Sequence, residues 1–232
     1  MNQYVKLALV TACLAGTAVA GDVTGRVLFE GTPPKMARIN MGGADPICAK
    51  AHKDPVFSEE VELNKNGTLK NVLVYVKEGL GNKKFDPPAT KATFDQLGCR
   101  YYPHVLGIQT GQELVVTNSD RTLHNIHTLS KDNPPFNVAQ PNKGVNTLTK
   151  KFDKPENFKV KCEVHTWMNA WIQVFNHPFY AVTGDDGSFS LKKLPPGDYT
   201  IEAWHEKYGT QTMHVKVAGT GAATADFKYI EK

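Results

Sequence analysis

Four cysteines in 232 residues is few, and one of them, Cys13, lies in a stretch that reads as a leader. After the first 20 residues no apolar run is long enough to cross a membrane as a helix, so no membrane span is expected. Charge of one sign is also scarce. Without Lys6, 26 basic residues face 23 acidic ones, a net +3, which is too small an excess to argue for a nucleic-acid partner. The lysines gathered between Lys143 and Lys161 read as a solvated face. A haem attachment motif is missing, as are internal repeats, low-complexity segments and flexible linkers. Helical periodicity is weak everywhere except near "DPICAKAH".

What is present starts with the leader. Lys6, the apolar "LALVTACLAGTAVA" and the small residues Ala18-Val19-Ala20 predict cleavage after Ala20 and export, to a periplasmic or secreted location. "LVTAC" loosely mimics a lipoprotein attachment site, but only six residues separate Lys6 from Cys13, which favours ordinary cleavage. The remaining 212 residues suffice for a sizeable core. Three cysteines then remain in an oxidising compartment, an odd number. The simplest partition pairs Cys48 with Cys99 and leaves Cys162 as a thiolate held by something other than sulfur. Alternatively, "CAKAH" offers Cys48 and His52 on one helical turn.

Short segments rich in β-branched and aromatic residues follow one another: "DVTGRVLFEG", "LKNVLVYVKEG", "HVLGIQTG", "QELVVTNSD", "NFKVKC" and "WIQVF". They predict an all-β chain. Composition shifts near "NHPFYAVTGDDG". Beyond it "SFSLKKL", "DYTIEAW" and "MHVKV" alternate apolar and polar residues between the turns "DDG", "PPG" and "KYG". This tail is marginal in size for a core of its own, so it should pack on the preceding domain and borrow the strand Asp22 to Glu30. The expected organisation is a signal peptide over 1–20, an N-terminal extension over 21–67, a main sandwich over 68–176 and a small β module over 177–232. Asn66-Gly67-Thr68 spells a glycosylation triplet but reads better as a turn.

The chemistry gathers in "KCEVHTWMNAWIQVF". In "FKVKC", strand parity puts Phe158, Val160 and Cys162 on one face, with the sulfur aimed inward at a strand end. His165 and Met168 follow on a short loop before the next strand. A thiolate, an imidazole and a thioether are soft ligands, and a copper centre asks for a second histidine. Zinc would not select a thioether, and no second cysteine or carboxylate completes a tetrahedral set nearby. The missing histidine is sought in "VVTNSDRTLHNIHTLS", where a strand ends and a turn presents His124, Asn125 and His127.

"GIQTGQELVVTNSDRTLHNIH" followed by "KKFDKPENFKVKCEVHTWMNAWIQVF" resembles the blue copper proteins, the cupredoxins, with an amicyanin-like C-x2-H-x2-M ligand loop. The resemblance covers roughly residues 68 to 176. It implies a Greek-key β-sandwich holding one type 1 copper ion through His124, Cys162 and His165, with Met168 as axial ligand. Asn125 would pin the two ligand loops together, and His104 would be structural. Leu123 departs from the proline frequent before the first histidine, Trp167 places a large ring inside the loop, and Gly79 to Gly98 is an unusually long segment. His127 should face away from His124, while His177, His205 and His214 fall outside the motif. The tail resembles carboxypeptidase regulatory-like modules, a transthyretin-like sandwich whose motif is mostly turn chemistry.

The resemblance implies an electron carrier rather than an enzyme. Lys161 and Glu163 flank Cys162 where copper oxidases and nitrite reductases keep histidines leading to a second centre. The expected partner is an exported redox protein such as a c-type cytochrome or a dehydrogenase. His165 is the expected route out, through an apolar patch made by Trp167, Val164 and Pro134-Pro135-Phe136. The competing reading is a two-module protein that stores or delivers copper, or adheres to a surface, without carrying electrons.

Overall fold

The computed structural model describes residues 20–219 and 221–231, so the expected leader lies outside the described residues. In chain order the first elements are β1 (Gly21–Glu30), the one-turn helix α1 (Pro46–Lys50) and β2 (Leu73–Glu78). Nine strands follow: β3 (Ala92–Gln96), β4 (Tyr101–Tyr102), β5 (Val105–Gln109), β6 (Leu114–Asn118), β7 (His124–Thr128), β8 (Asn137–Gln140), β9 (Leu148–Lys150), β10 (Glu156–Lys161) and β11 (Asn169–Phe175). The last six are β12 (Tyr180–Val182), β13 (Ser188–Leu194), β14 (Gly197–His205), β15 (Gly209–Val217), β16 (Ala222–Thr224) and β17 (Phe227–Ile230). The chain is all-β, in two sandwiches.

One sandwich packs the sheet β5-β11-β10-β7-β8 on the sheet β4-β3-β6-β9. Its core includes Phe94, Ile108, Val116, Ile126, Phe158, Val160 and Ile172, together with Cys162 and Met168. Along each strand the buried side chains alternate with wetter ones, as a half-buried pleat requires. The other sandwich packs β13-β1-β16, with β17 also on β1, against β12-β2-β14-β15. Val23, Val27, Val74, Val76, Leu191, Ile201, Tyr199 and Tyr229 fill it. Gly25 makes the double use of β1 feasible. The chain crosses from β16 to β17 at that point, and a Cβ on Gly25 would meet the Ala225 carbonyl oxygen at 1.9 Å.

The connectivity differs from a simple tandem. β1 lies in the sheet of the C-terminal module, as anticipated, but so does β2 in its partner sheet. β2 pairs with β12 (Tyr75↔Tyr180) and with β14 (Val74↔Ala203), although its sequence falls inside 68–176. The first sandwich, β3 to β11, is therefore inserted between two neighbouring strands of the second. The apolar alternation of a strand names the face it buries but not the sheet it joins.

Leu73, Val105 and Phe175 form a small core between the sandwiches, with the Trp171 and Trp204 rings 5.1 Å apart. Beside it lies a buried polar lock. His104 Nε2 bonds the Glu206 carboxylate, which also accepts from Trp171 Nε1 at 2.8 Å. Glu59 stands on the other side and pairs with Arg100 at 3.3 Å. Burial alone would lower the His104 pKa, but the bond to Glu206 and the charges of Glu206 and Glu59 outweigh it, and the net shift is upward. For Glu206 burial would act upward, yet the His104 partner brings the carboxyl below its ordinary range. A raised histidine contributes stability that is complete below its unfolded pKa, about 6.5, and is lost as pH rises through its folded value. A depressed carboxyl contributes above its unfolded pKa, about 4.3, and loses this as pH falls. The lock is therefore tightest between these limits. His104→Gln is expected to lower the unfolding free energy by about 1–2 kcal/mol near pH 6 and by clearly less near pH 9, read from urea titrations. An equal loss at both values would show that the histidine charge is irrelevant.

Candidate metal centre

The antiparallel register of β7 and β10 decides where the sequence-derived ligands meet. Lys161 lies opposite His127 and Val160 opposite Thr128, so the end of β10 and the start of β7 share one pole. Cys162 leaves β10 there, and His124 opens β7 there. Their neighbours alternate as strand parity demands: Phe158, Val160 and Cys162 are buried, while Lys159 and Lys161 are half-exposed. The intervening loop is closed by Cys162 N–H donating to the Met168 carbonyl at 3.0 Å and Met168 N–H donating to the His165 carbonyl at 2.9 Å.

Those two turns bring His124, Cys162 and His165 together, with ligand atoms all within 4.8 Å of one another. The inner nitrogens Nδ1 of the two histidines are 3.0 Å apart. All three residues are buried, and Met168 is buried at the closing end of the same loop. Asn125 links the two turns: its Oδ1 accepts the Glu163 N–H at 2.7 Å and faces the Cys162 sulfur at 3.3 Å. His127 points the other way, half-exposed, to Glu163 at 2.5 Å. His52 bonds the Gly98 carbonyl at 2.7 Å and stands apart from the cluster.

The outer face of the cluster holds residues that sequence reasoning missed. His124 Nε2 lies 2.9 Å from the Asp120 carboxylate. His165 Nε2 lies 3.3 Å from Asp45 Oδ2 and 3.5 Å from Cys48 Sγ. Cys48 is disulfide-bonded to Cys99, and both are buried; Cys162 is the free cysteine among the described residues. Asp45 caps α1 by accepting the Ile47 N–H, a strong N-cap position followed by proline at the first helical residue. In the sequence Asp45 has the look of a helix cap and Asp120 that of a turn former, and no signal ties either to a histidine.

This cover corrects the expected exit. His165 is only 2% exposed, because α1 and the disulfide lie over its outer edge. Pro134-Pro135-Phe136 is also misplaced for a patch around it. That segment joins β7 to β8 at the Thr128 end, with Phe136 bonded to Thr128 and the preceding Asn133 bonded to Glu156 at the end of β10 away from Cys162. Val164 and Leu123, each next to a ligand candidate in sequence, are exposed at 45% and 40%. The Trp167 ring lies 5.1 Å from the His165 ring, and its Nε1 donates to the Cys99 carbonyl at 3.0 Å.

Electrostatics in the pocket favours a cation. Burial opposes ionisation of Cys162, but the His124 ring and backbone groups of the loop outweigh it and bring the thiol below its ordinary range. Burial likewise would lower His124, and Asp120 with Cys162 reverses the sign; His165 is held down by burial and by the neighbouring His124. When each outer nitrogen carries the ring proton and donates it in a hydrogen bond to its carboxylate, both inner nitrogens are left as acceptors. They then face each other and a sulfur inclined to be a thiolate. Three electron-rich atoms converging in a buried space ask for a positive ion between them. Their chemistry, sulfur plus two imidazoles without an added carboxylate donor, fits copper better than magnesium, calcium or a structural zinc.

The fold and these side chains define a two-sandwich all-β chain with a buried thiol–diimidazole cluster at one pole. Residues 168–229 match the carboxypeptidase regulatory-like domain family, a match that begins at the end of the candidate loop. No curated protein matches the chain. Among solved structures the chain is similar to a copper-containing nitrite reductase from Thermus scotoductus SA-01, at 24% identity and TM-score 0.35 over 43% of this chain and 25% of that one. It thus spans a quarter of that enzyme's length. It is also similar to a purple cupredoxin from Nitrosopumilus maritimus, at 22% identity and TM-score 0.32, over 37% of this chain and all of that one. An amicyanin variant in its reduced Cu(I) form gives 15% identity and TM-score 0.33, over 44% of this chain and 98% of that one. At such TM-scores the superpositions carry no weight in assigning the site, which rests on its own side chains.

Proposed function

We propose that this chain is an exported mononuclear type 1 copper protein that carries single electrons between other exported redox proteins, a c-type cytochrome or a dehydrogenase being the expected class. The observation that carries the reading is the convergence of the Cys162 sulfur with the inner nitrogens of His124 and His165. These three would hold the ion, with Met168 as a weaker fourth donor. Copper, alternating between its cuprous and cupric states, would supply one-electron chemistry.

The remaining work belongs to the chain. The two hydrogen bonds that close the loop, and Asn125 between the turns, hold the donor atoms in place and would keep reorganisation small between the two states of a bound copper ion. Four protein donors would leave no position for a substrate, which argues against an enzyme. Lys161 and Glu163, which flank Cys162, are paired with each other at 2.9 Å, and Glu163 also meets His127 at 2.5 Å. With His165 covered, the aromatic ring of Trp167 beside it and the exposed Val164 and Leu123 offer the contact region for a partner.

Adding copper(II) to the purified protein is expected to give an intense visible thiolate-to-copper band at one ion per chain. The band should vanish on reduction and return on reoxidation over repeated cycles. Colourless binding, or colour that is lost after one cycle, would remove the electron-carrier reading in favour of storage or delivery.

A further inference from the structure

We infer that Asp120 and Asp45 are positioning residues that grip the two candidate histidine ligands from behind and bias the centre toward its more highly charged oxidation state. This rests on the copper reading above and adds to it two carboxylates that the ligand motif does not contain.

Neither carboxylate is an ordinary surface acid. Asp120 is buried, and its oxygens accept the N–H groups of Gly98 and Cys99 at 2.7 Å each while facing His124 Nε2 at 2.9 Å. Asp45 accepts the Ile47 N–H at 2.7 Å and the Thr122 hydroxyl at 2.6 Å while facing His165 Nε2 at 3.3 Å. Thr122 comes from the same turn as Asp120, so the two acids are tied to one another through it. Both are also tied to the disulfide, Asp120 through the Cys99 backbone and Asp45 through the turn of helix that carries Cys48. The pair is thus a clamp with a covalent clip.

Two consequences follow from its chemistry. A carboxylate on the outer nitrogen fixes the imidazole tautomer, with the proton outside and the lone pair inside, and makes the ring a better donor. Two fixed negative charges, one buried on Asp120 and one partly exposed on Asp45, also attract a doubly charged ion more than a singly charged one. Replacing either acid by its amide keeps the shape and removes the charge. The loss should therefore fall on cupric affinity more than on cuprous affinity.

Competition with chelators selective for each oxidation state measures this directly in the full chain, with the Cys48–Cys99 bond verified by mass spectrometry. Asp120→Asn and Asp45→Asn are each expected to lower cupric affinity by about 10–100-fold, the usual scale for outer partners of metal ligands, and cuprous affinity by clearly less, so that the ratio falls. The visible band of the variants is expected to persist. Variants that lose both oxidation states equally would mark a merely structural role, and variants that keep the wild-type ratio would likewise overturn the inference. A second readout needs no copper. Nitrogen NMR of the metal-free protein should find a proton on Nε2 of both rings, whether or not the raised His124 ring carries a second one toward His165; a ring protonated on Nδ1 alone overturns the inference. A wild-type protein that never develops the thiolate band would instead remove the electron-carrier reading, with the tautomers still deciding the role of the acids.

Discussion

Cys162→Ser is expected to abolish the visible charge-transfer band of the copper-loaded protein outright, because the band requires the thiolate and no other free sulfhydryl lies among the described residues. The substitution should leave the fold nearly intact. The serine hydroxyl would sit in the same buried space and face Asn125 Oδ1, which lies 3.3 Å from the sulfur and can accept from it. A change in unfolding free energy of no more than about 1 kcal/mol is expected, the usual worth of one satisfied hydrogen bond. The contrast is the test: colour gone, urea midpoint nearly unmoved. A serine variant with the wild-type spectrum would place the chromophore elsewhere and dismantle the site.

The second large effect concerns stability. Cys48 and Cys99 close a loop of 51 residues, for which chain-entropy arguments give about 4 kcal/mol, with measured values for such bridges commonly about 2–4 kcal/mol. Cys48→Ala combined with Cys99→Ala should lower the unfolding free energy by this order. It should also loosen the cover over His165, since the covalent tie of α1 to that face would be gone and Asp45 with the apolar packing of Met41 and Ala49 would remain. Iodoacetamide labelling of the metal-free protein reads the second effect: Cys162, buried in the wild type, should react faster in the double variant under native conditions. An unchanged urea midpoint would deny the bridge its role, and an unchanged labelling rate would deny the cover its dependence on it.

Strand after strand could be read from local alternation, because a pleat with one wet face records its burial in every second residue. Val160 and Cys162 are cases where that record alone places a side chain in the core. The pairing of His124 with Cys162 comes from the resemblance to the blue copper proteins, since the residues alone offer His124 and His127 on one turn without choosing between them. What escaped was whatever depends on a distant segment. β2 carries a pattern equally suited to either sandwich, and only pairing with β12 and β14 settles its sheet. The cover on His165 comes from Asp45 and Cys48, 120 and 117 positions earlier, and nothing near His165 announces it. Asp120 is harder still, because an acid at a strand end ordinarily serves the turn.

The insertion of one sandwich into the other has a consequence for how the chain assembles. β2 and β12 are adjacent partners, yet roughly a hundred residues separate them along the chain. Unstructured, that stretch would make their meeting an entropically costly ring closure. Once β3 to β11 have folded, the same stretch becomes a compact body whose two ends emerge beside each other, and the ring to be closed shrinks to a few joints. The outer sandwich therefore inherits its cooperativity from the inner one, and damage deep in the inner core should be felt as fraying at the seam of its host.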